Sequence, residues 1–109
     1  MSYCPTRGDI IWIDLDPRIG SEQKGRRPAI VLSDYEYNSK TKLAIICPIT
    51  SKKKGYPFEV ELNSSKVKGV ILSDHIKSLD WYNRSSEFIE VSNNQILNEV
   101  NENINLIIS

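Results

Sequence analysis

In the stretch GSEQKGRRPAIVLS, residues 20–33, a polar half carrying Glu22, Lys24, Arg26 and Arg27 runs directly into an apolar half. A second polar pair, Thr50 and Ser51, follows the apolar run LAIICPI. Pro28 suits the first residue of a strand, where a missing N–H costs least. If the two apolar segments are strands paired antiparallel, the start of one lies beside the end of the other. Arg27 and Thr50 then become neighbours, with Glu22 in the loop above them. A carboxylate, a guanidinium and a hydroxyl converging on one spot suit a phosphodiester. Arginine grips phosphate with a two-pronged fork. Threonine donates one more hydrogen bond, and a carboxylate accepts a proton when its surroundings raise its pKa. The same residues also fit a structural Arg–Glu surface pair beside a turn-forming threonine.

Other constellations are absent. The chain has no phosphate-cradling glycine motif, no nucleophile elbow and no histidine–cysteine pair. Cys4 and Cys47 share no metal-like spacing, and His75 is the one histidine, so no metal or other cofactor is expected. Cys47, inside LAIICPI, reads as a buried thiol. His75 follows Asp74 and is a weak candidate for a general base.

The 109 residues carry no net charge, but the charge is unevenly placed. Residues 1–57 hold ten Lys/Arg against six Asp/Glu, and residues 58–109 hold four against eight. The positive half concentrates its cations in two loops, QKGRR and SKKKGYP. Two basic loops make a local anion-binding patch on a neutral protein. They equally serve to keep a protein in solution.

The elements that must position these residues are short strands. Alternation or apolar runs predict them at 9–16, 28–33, 43–50, 58–62 and 68–74, with a less regular one at 75–81. Trp12 falls on the opposite face from Ile11 and Ile13 and is expected in the core. Pro48 points to an edge or a bulge. Leu97, Val100, Ile104 and Ile107 recur at a helical period, predicting a terminal helix over 93–108. Ser92 with Gln95 fits a capping box, and Val91 with Ile96 a hydrophobic staple. With no helix between consecutive strands, the sheet should be mainly antiparallel. The expected fold is a single mainly-β (α+β) domain over 1–109, a small antiparallel barrel, partly open, with a C-terminal helix. No apolar run reaches the ~20 residues that span a bilayer. MSYCPTRGD has no signal-peptide pattern, so a cytoplasmic protein without membrane contact is expected.

The segments RGDIIWIDLDP, GSEQKGRRPAIVLS, CPITSKKKGYPFEVEL and GVILSDHIKSLDW together resemble the MazF/PemK family of toxin ribonucleases. The resemblance runs from Arg7 to the C-terminal helix. It implies an SH3-like barrel, a homodimer, and a metal-independent endoribonuclease that cuts single-stranded RNA at short sequences. It implies Arg27 and Thr50 as the catalytic pair and Glu22 as proton acceptor. A PemK-like branch uses an arginine and an aspartate on the GVxxxD strand; this chain has Asp74 there, but Leu72 at the arginine position. Lys24, Arg26, Ser51, Lys52, Lys53 and Lys54 would hold the RNA backbone. Tyr56, Phe58 or Trp81 would stack on splayed bases. Asp74 and Lys77 complete the RNA-binding set. KGYPFEV resembles the branch that cuts at ACA triplets. The implied partner is a MazE-like antitoxin whose acidic, flexible tail competes for the basic groove. Two other readings remain open from the sequence: a non-catalytic RNA- or protein-binding barrel, and a relative that poisons DNA gyrase.

Overall fold

A computed structural model describes residues 3–15 and 25–108. Seven strands form one sheet: β1 (Asp9–Asp14), β2 (Arg26–Val31), β3 (Ala44–Thr50), β4 (Glu59–Asn63), β5 (Lys68–Leu72), β6 (Lys77–Leu79) and β7 (Glu87–Val91). Helix α1 (Tyr35–Thr41) lies between β2 and β3, and helix α2 (Asn94–Ile108) ends the fold. The strand order is β4-β5-β3-β2-β1-β7, with β6 also on β3. All of these pairings are antiparallel. The result is a partly open, SH3-like barrel carrying a C-terminal helix, as expected. The Ser64 hydroxyl donates to the Glu90 carboxylate, linking the β4–β5 turn to β7.

β3 is buried on both faces, which is why its sequence is a continuous apolar run. Cys47 and Ile49 join Ile10, Ile30, Val60, Leu62 and Ile71 in one core. Ala44 and Ile46 join Ile11, Ile13, Ala29, Val31 and Trp81 in another. α2 covers the first core with Ile96, Leu97, Val100 and Ile104, while Ile107, expected in the same stripe, is exposed. Burial, reinforced by the charge of Asp74, pushes the Cys47 thiol up to about 12, so it stays protonated and inert. Among the described residues, no helix is long and apolar enough to cross a membrane.

Several local expectations are corrected. Trp12 is 38% exposed, because alternation on β1 turns Ile11 and Ile13 inward and leaves Trp12 on the outer side. Trp81, offered as a base-stacking residue, is only 4% exposed; its indole N–H donates to Asn38 O at 3.0 Å. Pro48 lies in the central strand rather than at an edge. Its missing N–H falls between the part of β3 that pairs with β6 and the part that pairs with β5. The α2 cap is Asn93, whose Oδ1 accepts from Ile96 N at 2.8 Å, rather than Ser92.

α1 was not legible because it has seven residues and no apolar stripe; the residue it buries is polar. Asn38 is fully buried. Its amide donates to Pro5 O at 2.8 Å and Ser33 O at 3.0 Å, and its Oδ1 accepts from Ser33 Oγ at 2.5 Å. The Asn38 side chain thus joins the N-terminal segment to the end of β2, and its backbone oxygen holds Trp81. Asn38→Leu strands these buried polar groups and is expected to cost about 2–4 kcal/mol. A melt followed by circular dichroism should show a Tm fall of about 10 °C or more; an unchanged Tm would remove this role.

Candidate active site

In the β2–β3 register Ala29 lies opposite Pro48 and Ile30 opposite Cys47. Continued by two residues, this register sets Arg27 opposite Thr50. Both side chains line a single pocket of about 450 Å³ at that end of the sheet. β2 contributes Arg26, Arg27 and Pro28, β3 contributes Ile49 and Thr50, and Ser51 and Lys52 follow. Trp12 of β1 and Lys68 of β5 complete the lining.

Four cationic side chains therefore surround one concavity. Arg26 is already engaged: its guanidinium pairs with the Glu87 carboxylate and lies 5.7 Å from the centre of the Trp12 ring. Among the described residues, Arg27, Lys52 and Lys68 make no ion pair. They leave a positive field open for an anion. Thr50 Oγ1 accepts from Lys52 N at 3.2 Å. A hydroxyl has one proton to give besides its lone pairs, so that contact leaves the Thr50 O–H free to donate to a phosphate oxygen.

β5 reaches this pocket because residue 69 is glycine. Gly69 has φ +156°, and a Cβ there would stand 2.3 Å from the backbone oxygen of Thr50. The missing side chain lets β5 close onto the end of β3, where Val70 pairs with Thr50.

The basic loop after β3 is only partly free. Lys53 Nζ lies 3.3 Å from Glu61 Oε1. The Glu59 carboxylate accepts the backbone N–H groups of Lys54 and Gly55 at 3.1 and 3.0 Å, pinning the loop. Tyr56 is exposed and Phe58 half-buried, and neither lines the pocket. Asp74, His75 and Lys77 are exposed and lie outside the pocket. Asp74 and His75 approach each other at 3.9 Å. Lys77 pairs with Ile46, four residues from Thr50, about 13 Å along a strand. Glu22 and Lys24 lie outside the described residues.

Trp12 and Lys68 line the site in addition to the residues expected from the sequence. The signal for Trp12 was present in the alternation of β1. Lys68 had no such signal, since its position depends on which strand β5 pairs with.

The family model of the PemK-like, MazF-like toxin of type II toxin-antitoxin system matches residues 6–108. The chain is 50% identical over 84 residues to the endoribonuclease toxin MazF of Escherichia coli (strain K12), covering 77% of this chain and 76% of that one. The crystal structure of MazF from Deinococcus radiodurans superposes with a TM-score of 0.88 at 44% identity, over 97% of each chain. A MazE–MazF crystal structure from the same organism also gives 0.88, at 39% identity, over 99% of this chain and 98% of that chain. With nearly its whole length matched and its fold shared, this chain belongs to the MazF/PemK family of endoribonuclease toxins of type II toxin–antitoxin systems.

Proposed function

We propose that this member of the family cuts single-stranded RNA in the Arg27–Thr50 pocket, with the ribose 2′-OH beside the scissile phosphate as the nucleophile. The observation that carries the reading is the opposition of Arg27 and Thr50 across β2 and β3 in one cation-lined concavity. The O2′–P bond forms and the P–O5′ bond breaks, leaving a 2′,3′-cyclic phosphate and a 5′-OH. Glu22 accepts the 2′-OH proton, and water supplies the proton that turns the departing 5′-oxygen into the 5′-OH. Arg27 stabilises the charge that gathers on the pentacovalent phosphorus; a guanidinium with a pKa above ~12 is a poor proton donor, so its role is electrostatic. Thr50 holds a non-bridging oxygen. Lys24, Arg26, Ser51 and Lys52–Lys54 hold the flanking backbone, and Tyr56 and Phe58 take splayed bases. The resemblance of KGYPFEV adds a preference for ACA-like sites. The chain works as a homodimer in the cytoplasm, arresting translation. A MazE-like antitoxin with an acidic tail covers the cationic pocket; the MazE–MazF structure of Deinococcus radiodurans supports such a partner.

A long single-stranded RNA incubated with the protein in excess EDTA should yield discrete fragments with cyclic-phosphate ends. A single 2′-deoxy substitution at the cut nucleotide should abolish that cut, because it removes the nucleophile. Binding without products in every sequence context would favour the non-catalytic barrel and sink the nuclease reading. Loss of cutting in EDTA, restored by a divalent cation, would overturn the metal-free mechanism.

A further inference from the structure

The cationic pocket does not end at Lys68. Beyond it a second groove of about 430 Å³ runs along the β4–β5 hairpin, with Lys53, Glu61, Asn63 and Gly69 in its lining. Ser51 and Lys68 line both concavities, so Lys68 stands on the saddle between them. Lys68 is the first residue of β5, opposite Asn63, and its side chain is exposed.

The two concavities differ in chemistry. In the first, Arg26 is paired with Glu87, but Arg27, Lys52 and Lys68 have no carboxylate partner among the described residues. In the second, Lys53 is paired with Glu61, and the Asn63 amide is the other polar β4 side chain in its lining. A carboxylate and an amide suit the edge of a base or the hydroxyls of a sugar and repel or ignore a phosphate. A polynucleotide chain that occupies both concavities must carry a phosphate across the saddle. The group waiting there is an ammonium with three donors and no acceptor.

We infer that Lys68 binds the phosphodiester joining the nucleotide held at Arg27 and Thr50 to its neighbour, whose base or sugar fills the groove lined by Glu61 and Asn63. This inference rests on the RNA reading above. It adds a substrate-binding residue outside the two basic loops and requires the RNA to extend past the cut on that side. Lys68 acts on a phosphate that does not react, so its loss weakens binding and leaves the chemical step alone.

The test uses RNA oligonucleotides made uncleavable by a 2′-deoxy residue at the mapped cut site. Lys68→Ala should weaken binding by about fivefold at 0.1 M salt and flatten the dependence of log K on log salt by about 0.7. Single-turnover cleavage of the cleavable RNA at limiting protein should slow by a similar factor, and Lys68→Arg should restore binding. Replacing phosphates one at a time by neutral methylphosphonate should erase the difference between wild type and Lys68→Ala at one flanking position. Lys40→Ala, which removes the same charge from α1 outside both grooves, should bind as wild type. Equal binding by wild type and Lys68→Ala overturns the inference while leaving the nuclease reading intact. So does a deficit that persists at every methylphosphonate position, which would mean that Lys68 acts only through the overall field. A wild-type protein that neither cuts nor binds RNA overturns both. A melt of each variant separates lost contacts from lost fold.

Discussion

Arg27→Ala is expected to slow RNA cleavage by about 10²–10³-fold, with the melting temperature unchanged. The size follows from where the charge develops. In-line attack by a 2′-OH gathers negative charge on the phosphoryl oxygens, and the Arg27 guanidinium stabilises that charge more than it stabilises the diester. Ile49, Pro28 and the Trp12 ring supply apolar walls beside the guanidinium. The absence of a stability effect follows from exposure: the Arg27 side chain lies at the open end of β2, and its Nη1 makes only a long contact of 3.5 Å to the Arg26 carbonyl among the described residues. Arg27→Lys keeps the charge and loses the fork, so it should recover only part of the rate. Single-turnover kinetics on one mapped RNA separate this from weakened binding. Full activity in Arg27→Ala would move the chemistry elsewhere in the pocket.

That Arg27 and Thr50 come to line one pocket was legible because it needed only two strands, their direction and a proline marking where one begins. An antiparallel pair converts sequence position into spatial position with little ambiguity. The terminal helix was legible for a similar reason, since Leu97, Val100 and Ile104 repeat at the helical period and do pack on the core. Legibility failed where position depends on a partner the local pattern does not name. β7 is a five-residue strand whose place beside β1 includes a register shift, with Ile10 opposite Glu90 and Ile11 opposite Phe88. α1 buries an asparagine instead of an apolar stripe. Trp81 looks like an exposed platform in a polar stretch, yet its N–H is spent on Asn38. Among the lysines, local density was misleading: Lys53 is drawn to Glu61, and Lys68, outside both basic loops, lines the pocket. Charge clusters in sequence record supply, while the strand register decides delivery.

Gly69→Ala is the second substitution with a large expected effect, and it tests how the pocket is built. A methyl at residue 69 would meet Thr50 O at 2.3 Å, Thr50 C at 3.0 Å and Ser51 Cα at 3.4 Å. All three are backbone atoms of the strand end that carries the Thr50 hydroxyl, so no side chain can rotate away to make room. The backbone must part, and β5 must separate from β3 where Val70 pairs with Thr50. Overpacking of this kind costs about 1–3 kcal/mol, and the Tm should fall by about 5–20 °C. Gly55→Ala provides the contrast in stability: Gly55 has φ +84° but nothing within 4 Å of a new Cβ, so only the left-handed backbone penalty of about 1–2 kcal/mol remains. For cleavage the consequence of Gly69→Ala is larger than its stability cost. The same displacement moves Thr50 away from Arg27, and a misplacement of about 1 Å can cost 10²-fold in rate. Measured well below both melting temperatures, where the variant is folded, its cleavage rate should therefore fall at least tenfold. A variant with the wild-type Tm and the wild-type rate would show that β5 does not set the position of Thr50.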